Sequence, residues 1–405
     1  MSLVVMKFGG SSVANAEKVK HVAGRIIAKK KEGYKVVVVV SAPGDMTDDL
    51  IEMAAGVTKN PPPREMDVLL ATGEQASIAI LAMALQAKGQ AAISLTGPQA
   101  GIYADVDHTR ARITEILPKK ILAELAKRRI VVVAGFQGLN PNLDIATLGR
   151  GGSDLTAIAL AAALKADLCE IYTDVEGIYT TDPRVVTDAR KLDEISYDEM
   201  LELAGAGAQV MQGRSVEVAK KYDVVFVVRS TFSTAPGTRV HREVRHMENV
   251  VVSGIALDRK QAKISIVDIP DRPGVAAKVF GALGKAGINV DMIIQSEAID
   301  RKNDISFTVS DGDLKKAMKA LRPVKVALEA KDLVANSNVG KVAVVGVGMR
   351  SHSGVASKMF QSLADAKINI QMISTSEIKI SCVISRDHID DAVKVLHKAF
   401  ELDKK

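Results

Sequence analysis

The stretch Leu3-Val4-Val5-Met6-Lys7-Phe8-Gly9-Gly10-Ser11-Ser12 sets the reading of the whole chain. Its first six residues carry one charge and no polar alternation, which predicts a strand buried on both faces. The two glycines and two serines predict a tight turn. From about Ala16, the residues Val19, Val22, Ala23, Ile26 and Ile27 mark one stripe of an amphipathic helix. A second strand, Lys35–Val40, is again too apolar to have a solvated face. Strand, glycine turn, helix and strand form the unit of a parallel sheet covered by helices.

Further strand-like runs at 91–95, 130–134, 168–173 and 224–228 alternate with helical patterns at 65–88, where Gly73 suggests a break, and at 154–165. The segment 232–249, with Pro236, Gly237 and several charges, reads as a boundary. Beyond it the chain repeats itself. Gly274-Val275-Ala276-Ala277-Lys278-Val279-Phe280 matches Gly354-Val355-Ala356-Ser357-Lys358-Met359-Phe360, and Ile288-Asn289-Val290-Asp291-Met292-Ile293 matches Ile368-Asn369-Ile370-Gln371-Met372-Ile373, at a constant offset of 80 residues. Two copies of a small α+β module imply side-by-side packing, since a solenoid needs three or more units. The expected organisation is an α/β, mainly parallel-sheet domain at 1–245, a first module at 246–335 and a second at 336–405, with strands open to exchange between the modules.

Composition agrees with this architecture and excludes several classes. A chain of 405 residues expects two or three domains. Its 47% hydrophobic and 25% charged residues fit a packed protein, and 3% aromatics without Trp leave the core to aliphatic side chains. The net charge of +6 is spread along helices among Asp and Glu, so no nucleic-acid partner is expected. No purely apolar stretch approaches a bilayer span and no secretory signal opens the chain, so no membrane partner is expected either. Cys169 and Cys382 have no Cys or His neighbour at metal-ligand spacing; buried free thiols in the cytoplasm are the expected reading.

Two glycine loops carry the chemistry. At Lys7 to Ser12, glycines let backbone N–H groups approach an anion, the coming helix favours negative charge, and Lys7 supplies a point charge. Neither the P-loop pattern nor the dinucleotide fingerprint occurs. The second loop, Gly149-Arg150-Gly151-Gly152-Ser153-Asp154, precedes an Ala-rich helix. Ser153 or Asp154 alone could be an N-cap. Three glycines and an arginine go beyond what a cap requires, and two loops of donors with one cation each suit a reaction between two anions.

These residues resemble a known family. Lys7 to Ser12 is similar to the opening signature of aspartate kinases within the amino-acid kinase fold, and Gly149 to Asp154 resembles their second glycine loop. Ile171-Tyr172-Thr173-Asp174-Val175-Glu176-Gly177-Ile178-Tyr179-Thr180-Thr181-Asp182-Pro183-Arg184 resembles their adenine-nucleotide segment, and the repeat resembles tandem ACT modules. The resemblance covers essentially the whole chain. It implies an ATP-dependent kinase that phosphorylates the aspartate β-carboxylate with Mg²⁺ accompanying ATP, on the route to lysine, threonine and methionine. It assigns Lys7, Phe8, Gly9, Gly10 and Ser11 to the phosphates, and Thr173, Asp174, Tyr179, Arg184 and Gln209 to the nucleotide. Ser41 and Thr47 would meet the β-carboxylate and phosphoryl group, and Glu74 the substrate ammonium. Arg150, with Gly151, Gly152 and Ser153, would hold the α-carboxylate, and Asp154 would hold Lys7 and help with the substrate amine. Effector amino acids, lysine or threonine or both, would sit at Asp271, Gly274, Val275, Ala276, Asn289, Asp291 and Gln295, and at His352, Ser374, Thr375, Ser376 and Glu377. Pairing of ACT modules implies a homo-oligomer.

Two positions depart from the family pattern. Gln209 stands where a lysine usually reaches the phosphates, so either Arg214 or Lys220 substitutes or the site works with less charge on the phosphates. Ser353 stands where the first module has Pro273, which puts an effector site in the second module in question. Another amino-acid kinase, for glutamate or acetylglutamate, should lack the tandem repeat and the Arg150 loop. A non-catalytic amino-acid sensor would have no reason to keep Lys7, Arg150 and Asp154. No dinucleotide domain follows the repeat, so a bifunctional homoserine dehydrogenase is not expected.

Overall fold

The structure, a computed structural model, describes residues 2–207, 210–242, 251–297, 302–350 and 352–404, without the Arg350 side chain. The chain forms two compact units, one of residues 1–178, 191–201 and 209–245, the other of 179–190, 202–208 and 246–405.

In the first unit the elements follow as β1 (Leu3–Phe8), α1 (Ala16–Lys31), β2 (Lys35–Val40), α2 (Met46–Val57), α3 (Pro63–Ala87) and β3 (Ala92–Leu95). Next come β4 (Ile102–Ala104), β5 (Ile113–Ile116), α4 (Lys119–Ala126), β6 (Ile130–Ala134), β7 (Gln137–Leu139) and β8 (Ile145–Thr147). Then come α5 (Gly152–Leu164), β9 (Leu168–Thr173), β10 (Glu194–Ser196), α6 (Tyr197–Ala206, of which only 197–201 belong to this unit), α7 (Gly213–Tyr222), β11 (Phe226–Ser230) and β12 (Thr238–His241). Eight strands form one sheet in the order β10-β12-β11-β9-β1-β2-β6-β3, parallel at every pairing except β11 with β12. All six residues of β1 are buried, as expected of a strand between two parallel neighbours. On one face, α1 and α3 add Val19, Val22, Ile26, Ile78, Leu81 and Leu85 to the core.

Two expectations change, and one sheet had none. Gly73 does not break α3, which runs unbroken through 25 residues. A Cβ there would come within 2.7 Å of Ala42 Cβ, so the glycine permits a close helix–loop approach that outweighs its roughly 1 kcal/mol propensity cost. The boundary segment contains β12. A separate four-stranded sheet, β5-β4-β7-β8, is built from strands of three or four residues that carry little periodicity. By length and composition α3 could cross a membrane, yet half of its apolar window is buried within the fold. Its buried face also carries Asp67 and Glu74.

The second unit contains β13 (Gly254–Pro270), α8 (Val275–Lys285), β14 (Ile293–Gln295), β15 (Lys302–Ser310), α9 (Leu314–Ala327), β16 (Asp332–Val345), α10 (Val355–Asp365), β17 (Ile370–Thr375), β18 (Lys379–Ser385) and α11 (Ile389–Ala399). They make one six-stranded sheet, β14-β15-β13-β16-β18-β17. Strand β13 runs antiparallel to β16 along both repeats: Ile264 to Val267 meet the start of β16, and Gly254 to Leu257 its end. Ile264 and Ile266 therefore join one core with α8 and α9, while Ile255 joins the other with α10 and α11. The 335/336 boundary drawn from sequence falls inside β16. Gly274 and Gly354 precede α8 and α10 with φ of 91° and 95°, so the turn after Pro273 forms equally after Ser353.

Candidate active site

The carboxyl ends of β1, β2 and β6 meet the start of α5, the position at which parallel sheets bind ligands. Ser41 N–H donates to the Phe8 carbonyl (3.2 Å), Gly44 N–H to that of Gly10 (3.0 Å), and Gly135 N–H to that of Val40 (3.1 Å). These bonds lay the Gly9–Ser12 turn beside the turn after β2. Lys7 is buried near the end of β1, with Nζ 2.6 Å from Asp154 Oδ1 in the first turn of α5. A charge there needs a partner, and Asp154 supplies it. Lys18, which the sequence did not single out, donates from Nζ to the Ser11 carbonyl at 2.9 Å.

Glu74 is 3% exposed. Its Oε1 accepts the Ala42 N–H at 3.0 Å, while Oε2 is buried without a partner. Burial pushes its pKa up to about 7, partly offset by the Ala42 hydrogen bond. Ser41 lies half-buried after β2, and Thr47 half-buried in the first turn of α2.

The second glycine loop is left-handed at Gly149 and Gly151, with φ of 76° and 71°. A side chain on Gly151 would overlap Gln212 Cγ as well. Gly152 and Ser153 are buried as α5 begins. Arg150 is exposed and makes no hydrogen bond or ion pair among the described residues. An orphaned carboxyl oxygen, an unengaged guanidinium and a held ammonium are together suited to a zwitterion meeting a phosphate.

Of the nucleotide candidates, Phe8 stacks on Tyr172 with centroids 4.6 Å apart, and Gly9 N–H donates to the Tyr172 carbonyl at 3.2 Å. Thr173 Oγ1 donates to the exposed Asp174 carboxylate at 3.0 Å. Tyr179 and Arg184 belong to the second unit, where Arg184 forks onto Asp182 through Nε (3.0 Å) and Nη2 (2.8 Å). Gln209 lies outside the described residues. Both proposed substitutes for its missing charge have partners of their own. Arg214 donates to the carbonyls of Leu148 (2.8 Å) and Ala111 (2.6 Å), and Lys220 pairs with Asp198 (2.6 Å).

In the second unit a cavity of about 360 Å³ opens before α8, lined among others by Asp271, Gly274, Val275, Ala276, Gln295 and Asn303. Asn303, missed from sequence, is buried and donates to Asp271 Oδ1 (3.2 Å), while its own Oδ1 has no partner. Asn289 and Asp291 do not line this cavity. Asp291 instead forms an ion pair with Lys341 of β16, and Lys341 also donates to the Gly205 carbonyl at 3.1 Å. Lys341 is 2% exposed, so this buried ammonium claims the nearest carboxylate. Ser374 and Thr375 end β17; Ser376 Oγ donates to Glu202 at 3.4 Å, and His352 Nδ1 to the Gly348 carbonyl at 2.9 Å. Glu377 follows them at an exposed position.

A parallel sheet with two glycine loops at its carboxyl edge, followed by a doubled α+β module, defines a small-molecule kinase with a regulatory region. The sequence profile of the amino acid kinase family matches residues 2–230, and that of the ACT domain matches 264–323 and 342–400. The aspartokinase of Pseudomonas aeruginosa is 50% identical over 405 residues, spanning 100% of this chain and 98% of that protein. E. coli aspartokinase III in complex with aspartate and ADP (R-state) superposes with a TM-score of 0.84 at 26% identity, over 98% of this chain and 99% of the other. Its complex with lysine and aspartate (T-state) gives 0.77 at the same identity, again over 98% and 99%. The chain belongs to the amino acid kinase family and, within it, to the aspartokinases that carry ACT domains.

Proposed function

We propose that the enzyme transfers the γ-phosphoryl group of ATP to the β-carboxylate of L-aspartate, giving aspartyl β-phosphate. The observation that carries this reading is the trio of Lys7 held on Asp154, Glu74 with an orphaned oxygen, and Arg150 without a partner. The aspartate side chain, with a pKa of about 3.9, is already an anion at neutral pH and needs no general base. Its obstacle is repulsion from the nucleotide, so the protein's work is positioning and charge neutralisation. Lys7 and the N–H groups of Gly9 to Ser11 take the phosphates. Glu74 receives the substrate ammonium, whose charge restores the ionised carboxylate. Arg150 makes the paired contact to the α-carboxylate that a guanidinium allows. Ser41 and Thr47 face the reacting carboxylate, and Thr173 and Asp174 take the nucleoside. Mg²⁺ enters with ATP as part of the substrate and shields phosphate charge.

The ACT domains carry feedback by lysine, threonine or both, and pair between copies of the chain. The cavity at Asp271 and the E. coli complex with lysine support the first part. The test is hydroxylamine trapping of the acyl phosphate from ATP and aspartate, with lysine and threonine added singly and together. Trapped hydroxamate that depends on both substrates supports the assignment; hydroxamate with glutamate but not aspartate overturns it.

A further inference from the structure

Helix α3 carries a second buried carboxylate that the reaction does not use. Asp67 is fully buried and sits two turns before Glu74 on the same face, so a distance of about 10 Å along the helix separates the two. Its two oxygens accept four hydrogen bonds. Thr147 Oγ1 donates to Oδ1 at 2.5 Å, Thr109 N–H to both oxygens at 3.0 and 3.1 Å, and His108 Nδ1 to Oδ2 at 2.6 Å. A carboxylate only accepts, so His108 carries its proton on Nδ1.

These partners lead to the Arg150 loop by two routes. Thr147 ends β8, three residues before Arg150. Thr109 belongs to the β4–β5 connection and has φ of 66°, a conformation that a β-branched residue holds only when its surroundings impose it. A Cβ on Gly149 would lie 3.2 Å from the Thr109 carbonyl and 3.7 Å from Arg110 Cα, so this connection packs directly against the loop. Arg214 then joins both segments through the carbonyls of Leu148 and Ala111.

We infer that Asp67 is a positioning residue for the acceptor amino acid: it locks the Arg150 loop at a fixed distance from Glu74 along α3, and so sets the length of substrate that the two ends can grip. The inference rests on the roles proposed for Glu74 and Arg150. It assigns discrimination between aspartate and its one-methylene-longer homologue glutamate to a residue that touches neither.

The test compares Asp67→Asn, His108→Gln and Arg150→Lys for KM and kcat with aspartate, glutamate and ATP. His108→Gln leaves Asp67 with its Thr109 and Thr147 donors, so it loosens the connection even if Asp67→Asn fails to fold. The expected result for His108→Gln, and for Asp67→Asn where it folds, is a rise of about tenfold in aspartate KM. ATP KM stays within twofold, and the aspartate-to-glutamate ratio of kcat/KM falls at least fivefold, since one methylene in a fitted site is worth about 10- to 200-fold. A uniform loss of active enzyme with both KM values and the ratio unchanged would mean a merely structural role and overturn the inference. If Arg150→Lys leaves aspartate KM unchanged, the underlying site assignment fails instead.

Discussion

Glu74→Gln separates the cost of burying a carboxylate from its use. In the free enzyme the Glu74 pKa rises from 4.5 to about 7 because burial disfavours the charged form. At 1.36 kcal/mol per pH unit, this corresponds to roughly 3 kcal/mol. The sign follows from proton counting. Between pH 4.5 and 7 the folded chain holds a proton on Glu74 that the unfolded chain has lost, so stability falls as pH rises through this window and is flat above it. Glutamine keeps an acceptor for the Ala42 N–H and carries no charge. Its amide N–H₂ replaces the orphaned Oε2 and leaves a buried donor unpaired, at about 1–2 kcal/mol. Without aspartate at pH 8, the variant should therefore exceed wild type by on the order of 1–2 kcal/mol, and the advantage should shrink toward pH 5 and reverse there. Paired denaturant titrations at pH 5, 6, 7 and 8 check this. The same substitution should raise aspartate KM at least tenfold with ATP KM unaltered, and wild-type kcat/KM for aspartate should fall tenfold per pH unit below about 7. A stability difference independent of pH, or a less stable variant at pH 8, would refute the burial argument.

Lys7→Met should lower kcat by 100-fold or more, the scale of one preorganised electrostatic partner, with circular dichroism unchanged; activity within tenfold of wild type would remove Lys7 from the phosphate site. Arg150→Lys should raise aspartate KM well above any change in ATP KM, as a point charge loses the paired contact; the opposite pattern would move Arg150 to the nucleotide. Gln209→Lys should lower ATP KM or raise kcat, because Arg214 and Lys220 are both committed elsewhere; no change in steady-state kinetics would mean that another cation serves. Asp291→Ala should destabilise the ACT unit by on the order of 2 kcal/mol by leaving Lys341 buried with only a carbonyl partner, less than for a fully buried pair because Asp291 is partly exposed. Asn303→Ala should instead raise the effector concentration for half-inhibition with unaltered stability, read from inhibition curves beside melting curves.

How much of this was legible in sequence depended on whether the signal was local. The apolar run of β1, the glycines at 9, 10, 149, 151 and 152 and the stripe of α1 are local patterns, and the structure forms the elements they predict. Strands of three residues, such as β4 and β7, have no such pattern and went unread. Glu74 was legible as a residue but its state was not, since the missing partner of Oε2 results from packing between α3 and the turn after β2. Asp67 and His108 are 41 residues apart and meet only in the fold. Gly73 was misread because the approach of Ala42 that requires it is equally non-local.

The repeat shows the same limit from the other side. An offset of 80 residues pairs Gly274 with Gly354, and both take the left-handed turn that opens a helix. The same offset pairs Asp291 with Gln371 and Gln261 with Lys341. The ion pair of buried Lys341 with exposed Asp291 thus joins a residue of one repeat to a strand residue of the other, and its counterpart positions hold two uncharged glutamines. One of these, Gln261, donates to Asp258 at 2.7 Å and leaves its own Oε1 without a partner. Residues that the backbone requires have stayed alike in the two copies, while those that tie the copies together differ. The Asp291 carboxylate is engaged across the sheet, and an effector ammonium at that position would compete with Lys341 for it.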